Sequence, residues 1–183
     1  LGVGEGKLLK RIFSVMMLTL LMLSMLTLAF NIQPAKASGT IYIRADGSID
    51  PPDAPISTVD YVTYTLTGSI TSDADGIVIE RGNVIIDGNE YMVQGSEEGF
   101  IGFNLTSVSN VAIKNTHIKG FFTGVLICSS QNNIVGENNI TNNDFGIGLY
   151  SSSNNTISGN SITVCSYGIQ IRDSSNYNSI IKN

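Results

Sequence analysis

The chain has 183 residues, of which 14% are charged, and its 10 Lys+Arg against 15 Asp+Glu give a net charge of −5. An acid excess of this kind excludes a nucleic-acid-binding surface, which must meet phosphates with a stripe of Lys and Arg. It suits instead the acidic exterior, rich in Ser, Thr and Asn, of a secreted or cell-surface protein.

In chain order, Leu1 as a first residue reads as a non-AUG start or a fragment. Lys7, Lys10 and Arg11 precede an apolar run from Ile12 to Phe30, and Ala35-Lys36-Ala37 follows. A basic stretch, a hydrophobic stretch and a small-x-small site are the parts of a secretory signal. Residues 1–37 are therefore expected to be a signal peptide. The run of 19 apolar positions also approaches membrane-spanning length, so an uncleaved anchor helix competes, with membrane contact through residues 12–30 alone. Either way the remainder faces outside the cytoplasm, and it keeps six basic and fourteen acidic residues, a net −8.

Residues 38–75 are expected to be a lead-in and N-terminal cap. Thr40–Ile43 reads as a strand, Asp46-Gly47 as a turn, and Pro51, Pro52 and Pro55 as a stiff extended segment. Such a segment covers the first coil of a solenoid, whose edge is otherwise open. Tyr61–Leu66 alternates, and Gly76–Glu80 begins a strand. Asn83–Gly88 resembles Asn110–Asn115 but lies 27 residues earlier, and the five extra residues are expected to bulge around Gln94–Gly99.

From Gly102 to Asn176 the chain repeats every 22 residues. One column holds Gly102, Gly124, Gly146 and Gly168, and another holds Asn110, Asn132, Asn154 and Asn176. Between them run Phe103-Asn104-Leu105, Val125-Leu126-Ile127, Ile147-Gly148-Leu149 and Ile169-Gln170-Ile171. A short fixed period signals a stacked solenoid. Alternation over three to five residues, broken at Gly, Asn or Ser, specifies short strands and turns in place of helices. Residues 76–183 are thus expected to form an all-β parallel β-helix, right-handed, with one coil per repeat. Val125, Ile147 and Ile169, with Leu105, Ile127, Leu149 and Ile171, face inward. Asn104, Leu126, Gly148 and Gln170, then Thr106, Cys128, Tyr150 and Arg172, face out. The glycines mark bends requiring φ > 0 or close approach. The asparagines suit left-handed turns and amide hydrogen bonds from coil to coil. After Asn176 the pattern restarts at Ser179-Ile180-Ile181 and stops, so the natural protein is expected to continue.

Coils such as Asn155–Ile162 followed by Gly168–Ile171 resemble the parallel β-helix repeats of the NosD-like, pectin-lyase-like superfamily. The lead-in from Ile41 to Pro52 is similar to the start of secreted β-helix proteins common in archaea. The resemblance covers residues 40–183. It implies the fold, and it admits lyases, hydrolases, epimerases, copper-site maturation proteins and non-catalytic members.

The residues offer little chemistry. Glycoside hydrolysis needs two carboxyls roughly 5 to 9.5 Å apart, and Asp144 and Asp173, one coil apart, sit seven columns from each other. Asp73, Asp75 and Glu80 are the alternative acid group. His117 shares an outward column with Asn139 and Ser161 and reads as a surface histidine. Copper sites group His, Met or Cys. After the signal the chain has His117, Met92, Cys128 and Cys165, in unrelated columns. No metal site, cofactor or catalytic residue is expected, and no disulfide is suggested.

Two features remain. Asn104, Asn139 and Asn154 begin glycosylation acceptor triplets. Asn104, Tyr150, Gln170 and Arg172 form a candidate glycan-contact face on the strand after each glycine. The expected function is a monomeric, secreted or surface-anchored module, structural or contacting polysaccharide and cell-surface glycans. A polysaccharide lyase or hydrolase is the alternative, and a metal-enzyme maturation factor the second.

Overall fold

In the computed structural model, residues 13–17, 39–96 and 99–183 are described. The expected signal or anchor lies outside them except for a helical stretch at 13–17, as do Glu97 and Glu98 of the expected bulge. Residues 1–34 and 35–183 are separate compact units, and among the described residues every strand lies in the second.

The strands are β1 (Ile41–Ile43), β2 (Ile49–Asp50), β3 (Ile56–Ser57), β4 (Thr63–Leu66), β5 (Ile70–Thr71), β6 (Ile77–Ile79), β7 (Val84–Asp87), β8 (Met92–Gln94), β9 (Ile101–Thr106) and β10 (Val111–Lys114). They continue with β11 (His117–Lys119), β12 (Thr123–Cys128), β13 (Ile134–Gly136), β14 (Asn139–Thr141), β15 (Phe145–Tyr150), β16 (Thr156–Ser158), β17 (Ser161–Thr163), β18 (Tyr167–Arg172) and β19 (Ser179–Ile181). Each coil gives one strand to each of three parallel sheets. The first sheet stacks β1, β6, β9, β12, β15 and β18; the second β4, β7, β10, β13, β16 and β19; the third β5, β8, β11, β14 and β17. The chain is an all-β parallel β-helix. β2 folds back antiparallel on β1 and β3 on β4, so two hairpins from the lead-in cover the first coil. That lead-in also supplies the whole first coil, through β1, β4 and β5.

The 22-residue register holds in all three sheets from β9 to β18: Leu126 opposes Asn104 and Gly148, Ile140 opposes Ile118 and Ile162. Alternate residues point inward, and Leu105, Ile113, Val125, Ile127, Ile140, Ile147 and Leu149 are fully buried. Each such side chain stabilises the stack by about 2 kcal/mol. Ile169 is only half-buried and Ile171 is 43% exposed, because β18 has a neighbouring strand on one side only.

Four corners close each regular coil, and they share one construction. A residue with φ > 0 is followed by one whose backbone N–H leaves the sheet. In the fourth coil the left-handed residues are Ser129 (φ 51), Asn132 (58), Glu137 (58) and Asn142 (55). The residues after them are Ser130, Asn133, Asn138 and Asn143, all buried. Their side-chain oxygens accept the corner N–H of the preceding coil: Val108 to Ser130 at 3.1 Å, Val111 to Asn133 at 2.9 Å, Thr116 to Asn138 at 3.1 Å, Phe121 to Asn143 at 3.0 Å. Three of these ladders continue through Ser152, Asn155 and Asn160 to Ser175, Asn178 and Asn183. Backbone donors bent out of a sheet must be satisfied elsewhere, and here the next coil's side chain does it.

Two expectations are thereby refined. The column Asn110, Asn132, Asn154 does supply left-handed corners, at φ 60, 58 and 58, and Asn110 donates its amide to Asn83 of the preceding coil at 3.0 Å, but the continuous ladder runs one residue later. The glycine column needs no left-handed backbone. A Cβ on Gly102, Gly124 or Gly146 would sit 2.5 to 2.7 Å from the carbonyl oxygen of the next glycine in the column, so close approach alone selects glycine.

The five extra residues are split between two turns. The offset falls from 27 at Val84↔Val111 to 25 at Met92↔His117 and 22 at Ile101↔Thr123. Two residues therefore belong to the turn Gly88–Tyr91, and only three to the turn between β8 and β9 where the bulge was expected.

Candidate functional site: the outer faces of two sheets

The first sheet has the longest strands, six residues each from β9 to β18, and its outer face carries the expected contact residues. Tyr150 opposes Arg172 across β15 and β18, and Gly148 opposes Gln170. Gly148, expected to face out, is buried because the Tyr150 ring lies over it, and a Cβ there would meet that ring at 2.8 Å. The seated phenol donates to Gln170 Oε1 at 2.5 Å. Arg172 stands exposed beside the pair. The structure thus joins Tyr150, Gln170 and Arg172 and leaves Asn104 apart, two coils away across Leu126, with its Oδ1 accepting from Thr106 at 2.6 Å.

At the other end of the same strands lies an aromatic group that the repeat analysis passed over. Phe145 stacks on Tyr167 at 5.0 Å between centroids and 8° between planes, and Phe122 meets Phe145 edge-on at 5.2 Å. Phe145 and Tyr167 are 22 residues apart, so the column was visible; its interior-facing parity in the alternation hid it. The corner before the glycine turns these rings to the surface, where Phe122 and Tyr167 are 43% and 57% exposed. Next to them, Phe121, Asn142, Asn143, Asp144, Val164 and Ser166 line a cleft of about 280 Å³.

The acids are dispersed. Asp144 and Asp173 flank opposite ends of the six-residue strands β15 and β18. Glu137 and Asp173 occupy left-handed corners. Asp75 accepts the Ile101 N–H at 2.9 Å, and Glu80 pairs with Arg44 at 2.9 Å. Among the described residues no three of His, Cys, Asp and Glu converge. Of the acceptor triplets, Asn139 and Asn154 are exposed and Asn104 is half-buried.

The third sheet differs from expectation. Met92 and His117 do not lie in unrelated columns: they are register partners on the neighbouring strands β8 and β11. Their spacing is 25 residues, which the 22-residue frame cannot show. His117 Nε2 is 3.2 Å from Glu90 Oε2, and Nδ1 is 3.4 Å from the Asn139 amide nitrogen.

A sequence model of the family described as periplasmic copper-binding protein (NosD) matches residues 38–183. The chain belongs to the NosD family. Neither the curated proteins nor the solved structures contain a match to it. The matched span comprises the strand-forming coils of this NosD-family β-helix, and the family's description is of a protein outside the cytoplasm. That description also names copper, for which imidazole, thioether and thiolate are the fitting donors. Cys128 and Cys165 are free thiols on β12 and in the turn after β17. Among the described residues with such donors, His117 and Met92 are in register on neighbouring strands, and His117 Nε2 is paired with Glu90 Oε2 at 3.2 Å.

Proposed function

We propose that this NosD-family domain is an extracytoplasmic β-helix module that contacts polysaccharide along the outer face of its first sheet, without cleaving it. The observation that carries the reading is the Tyr150–Gln170–Arg172 group, held by the seat at Gly148. A planar aromatic, an amide and a guanidinium on a flat, rigid face can stack on a sugar ring and bond its hydroxyls. The aromatic group at Phe122, Phe145 and Tyr167 extends that face. Phe145 and Tyr150 are five residues apart on one strand, or about 16 Å at the usual rise, so an extended chain would span both. Residues 1–37 would carry the module out of the cytoplasm.

Glycan-array binding together with a depolymerisation screen tests the reading. Binding without cleavage is expected, weakened at least tenfold by Tyr150→Ala and by Gly148→Val, which unseats the ring, and unchanged by Asn104→Ala. Cleavage of any polysaccharide would overturn the non-catalytic part, and binding indifferent to Tyr150 and Gly148 would overturn the face.

A further inference from the structure

One corner of the regular coils differs from the other three. Its ladder passes from Phe121 N–H to Asn143 Oδ1 and stops, because the residue 22 positions after Asn143 is Cys165. The Cys165 thiol is half-buried and donates to Thr163 O at 3.4 Å. A thiol is shorter than an amide and a weak acceptor, so it does not tie this corner as Ser152, Asn155 and Asn160 tie the others. Here the surface opens into the cleft of about 280 Å³ lined by Phe121, Asn142, Asn143, Asp144, Val164 and Ser166. The register partners Thr123, Phe145 and Tyr167 are each preceded by a residue of this region: Phe122, Asp144 and Ser166, in successive coils. Asp144 therefore stands one coil from Phe122 and next to Phe145 in the chain, at the edge of the aromatic group. It is exposed, and among the described residues it pairs with no Lys, Arg or His.

We propose that this cleft is a subsite for an amino sugar, with the protonated amine of one pyranose unit at the Asp144 carboxylate and its ring against the Phe122, Phe145 and Tyr167 aromatics. The proposal rests on the polysaccharide-contacting reading above and names the sugar at one end of that face. Charge carries it. A carboxylate without a counter-ion, on a chain whose residues 38–183 carry a net −8, attracts a cation and repels a uronic acid or a sulfated unit. The neighbouring rings act in the same direction, since an aromatic face attracts an ammonium group. The Ser166 hydroxyl adds a hydrogen-bonding group to the cleft wall. An N-acetylated unit carries no charge and can offer the carboxylate only a neutral N–H. The cleft is smaller than the pockets that enclose a whole ligand, and its size suits one unit of a chain that continues along β15 towards Tyr150. At that other end Arg172 has the opposite charge, so the two ends of the face discriminate between units of one polysaccharide.

The test is calorimetric titration of the full chain with glucosamine oligosaccharides and with N-acetylglucosamine oligosaccharides of equal length, at a pH where the amines are protonated. The amine form is expected to bind about tenfold more tightly, and Asp144→Asn to bring that ratio to about one. Glu137→Gln removes the same charge at an exposed corner between the other two sheets and should keep the wild-type ratio. That control separates a contact at Asp144 from the attraction of any polycation to an acidic protein. Raising the pH past the pKa of the sugar amine should abolish the preference in wild type and change nothing in Asp144→Asn. Both substituted residues are at the surface, and an unchanged far-ultraviolet spectrum will show that the variants fold. Equal binding of the two oligosaccharides, or a preference that survives Asp144→Asn, would overturn the subsite; the face would still stand if Tyr150→Ala weakened both. A preference that depends on Asp144 with binding indifferent to Tyr150 would keep the cleft and overturn the face. No binding of either oligosaccharide would overturn the subsite, and the glycan array then decides the face on other polysaccharides.

Discussion

The first three coils and the last three are held together by different physics. Corner positions in the third coil are Val108, Val111, Thr116 and Phe121, and Val84 occupies the same place in the second. The same positions one coil later are Ser130, Asn133, Asn138 and Asn143. The N-terminal part adds a fully buried Tyr64, whose hydroxyl donates to Gly47 O at 2.8 Å, and Arg44, bridging Asp50 and Glu80 with its guanidinium 4.0 Å over the Tyr42 ring. The C-terminal part has almost no ion pairs and relies on amide and hydroxyl ladders. An aliphatic corner is held by burial, which has no direction, so a turn beside it can lengthen. An amide corner both gives and receives at fixed geometry. The offsets of 25 and 27 fall among the corners without ladders, while the ladders run at 22 into the fifth coil and at 23 into the last, where one residue is added between β18 and Ser175.

The largest effect should come from breaking a ladder. Asn138 is 2% exposed; its oxygen accepts from Thr116 N–H, and its amide donates to Ile113 O at 3.0 Å, Gly136 O at 2.9 Å and Asn160 Oδ1 at 3.0 Å. Asn138→Ala orphans a buried backbone donor and several acceptors, and should cost about 3 kcal/mol in urea unfolding. Asn138→Asp should cost more, since a carboxylate faces two carbonyl oxygens there. A loss under 1 kcal/mol would mean the ladders are ornamental. Next comes the glycine column. Gly124→Ala sets a Cβ 2.7 Å from Gly146 O and should cost about 2 kcal/mol. Gly168→Ala meets only Ile162 Cγ2, at 3.8 Å, and should be close to neutral. Equal losses at the two sites would point to backbone conformation as the cause, in place of close approach.

How much of this could be seen beforehand follows from the repeat. Ile113, Ile118, Val125 and their partners announce the strands and their inward faces by alternation alone, and the glycines announce a bend. The ladder was half visible: Asn132 and Asn133 are adjacent, and nothing in the letters says that the first turns the chain while the second ties it to its neighbour. Tyr150 was legible as an outward aromatic, but its seat on Gly148 was not, since a glycine in an outward column suggests a gap and not a ring's resting place. Met92 and His117 were hidden because register across an insertion is set by where the extra residues fold. The turn at Gly88–Tyr91 absorbs two of them through the left-handed Asn89 and Glu90, of which Glu90 is a residue type with little preference for that conformation.

A smaller effect separates the two halves of each corner. Asn132 is exposed at φ 58, so its contribution is conformational. Asn132→Ala should cost about 1 kcal/mol, the penalty for a Cβ in the left-handed region, while Asn132→Gly should be neutral or slightly stabilising. Thermal unfolding of the two variants decides it. If Ala and Gly behave alike, the side chain matters for its bonds and the division between corner and ladder is wrong.

The smallest effect tests the N-terminal half, where charge does what amides do later. Asp87 is pulled two ways: burial raises its carboxyl, while the Asn89 N–H at 3.0 Å, the Asn115 amide at 3.1 Å and Lys114 at 3.1 Å lower it, and the lowering wins. A carboxyl depressed in the folded state contributes stability above its unfolded value and loses it as pH falls through the folded one. The window therefore lies below about pH 4. Wild type should exceed Asp87→Asn in urea midpoint at pH 6, and the gap should be narrower at pH 3. The wild-type chain should keep some acid slope even then, because Asp60, accepting the Thr63 and Val62 N–H groups at 2.8 and 2.9 Å, is lowered in the same direction. Asn138→Ala, by contrast, should lose the same stability at both pH values, since no proton enters an amide ladder. A gap for Asp87→Asn that stays constant with pH would mean that Asp87 acts as a hydrogen-bond acceptor only, and that the two halves of the solenoid differ less than their residues suggest.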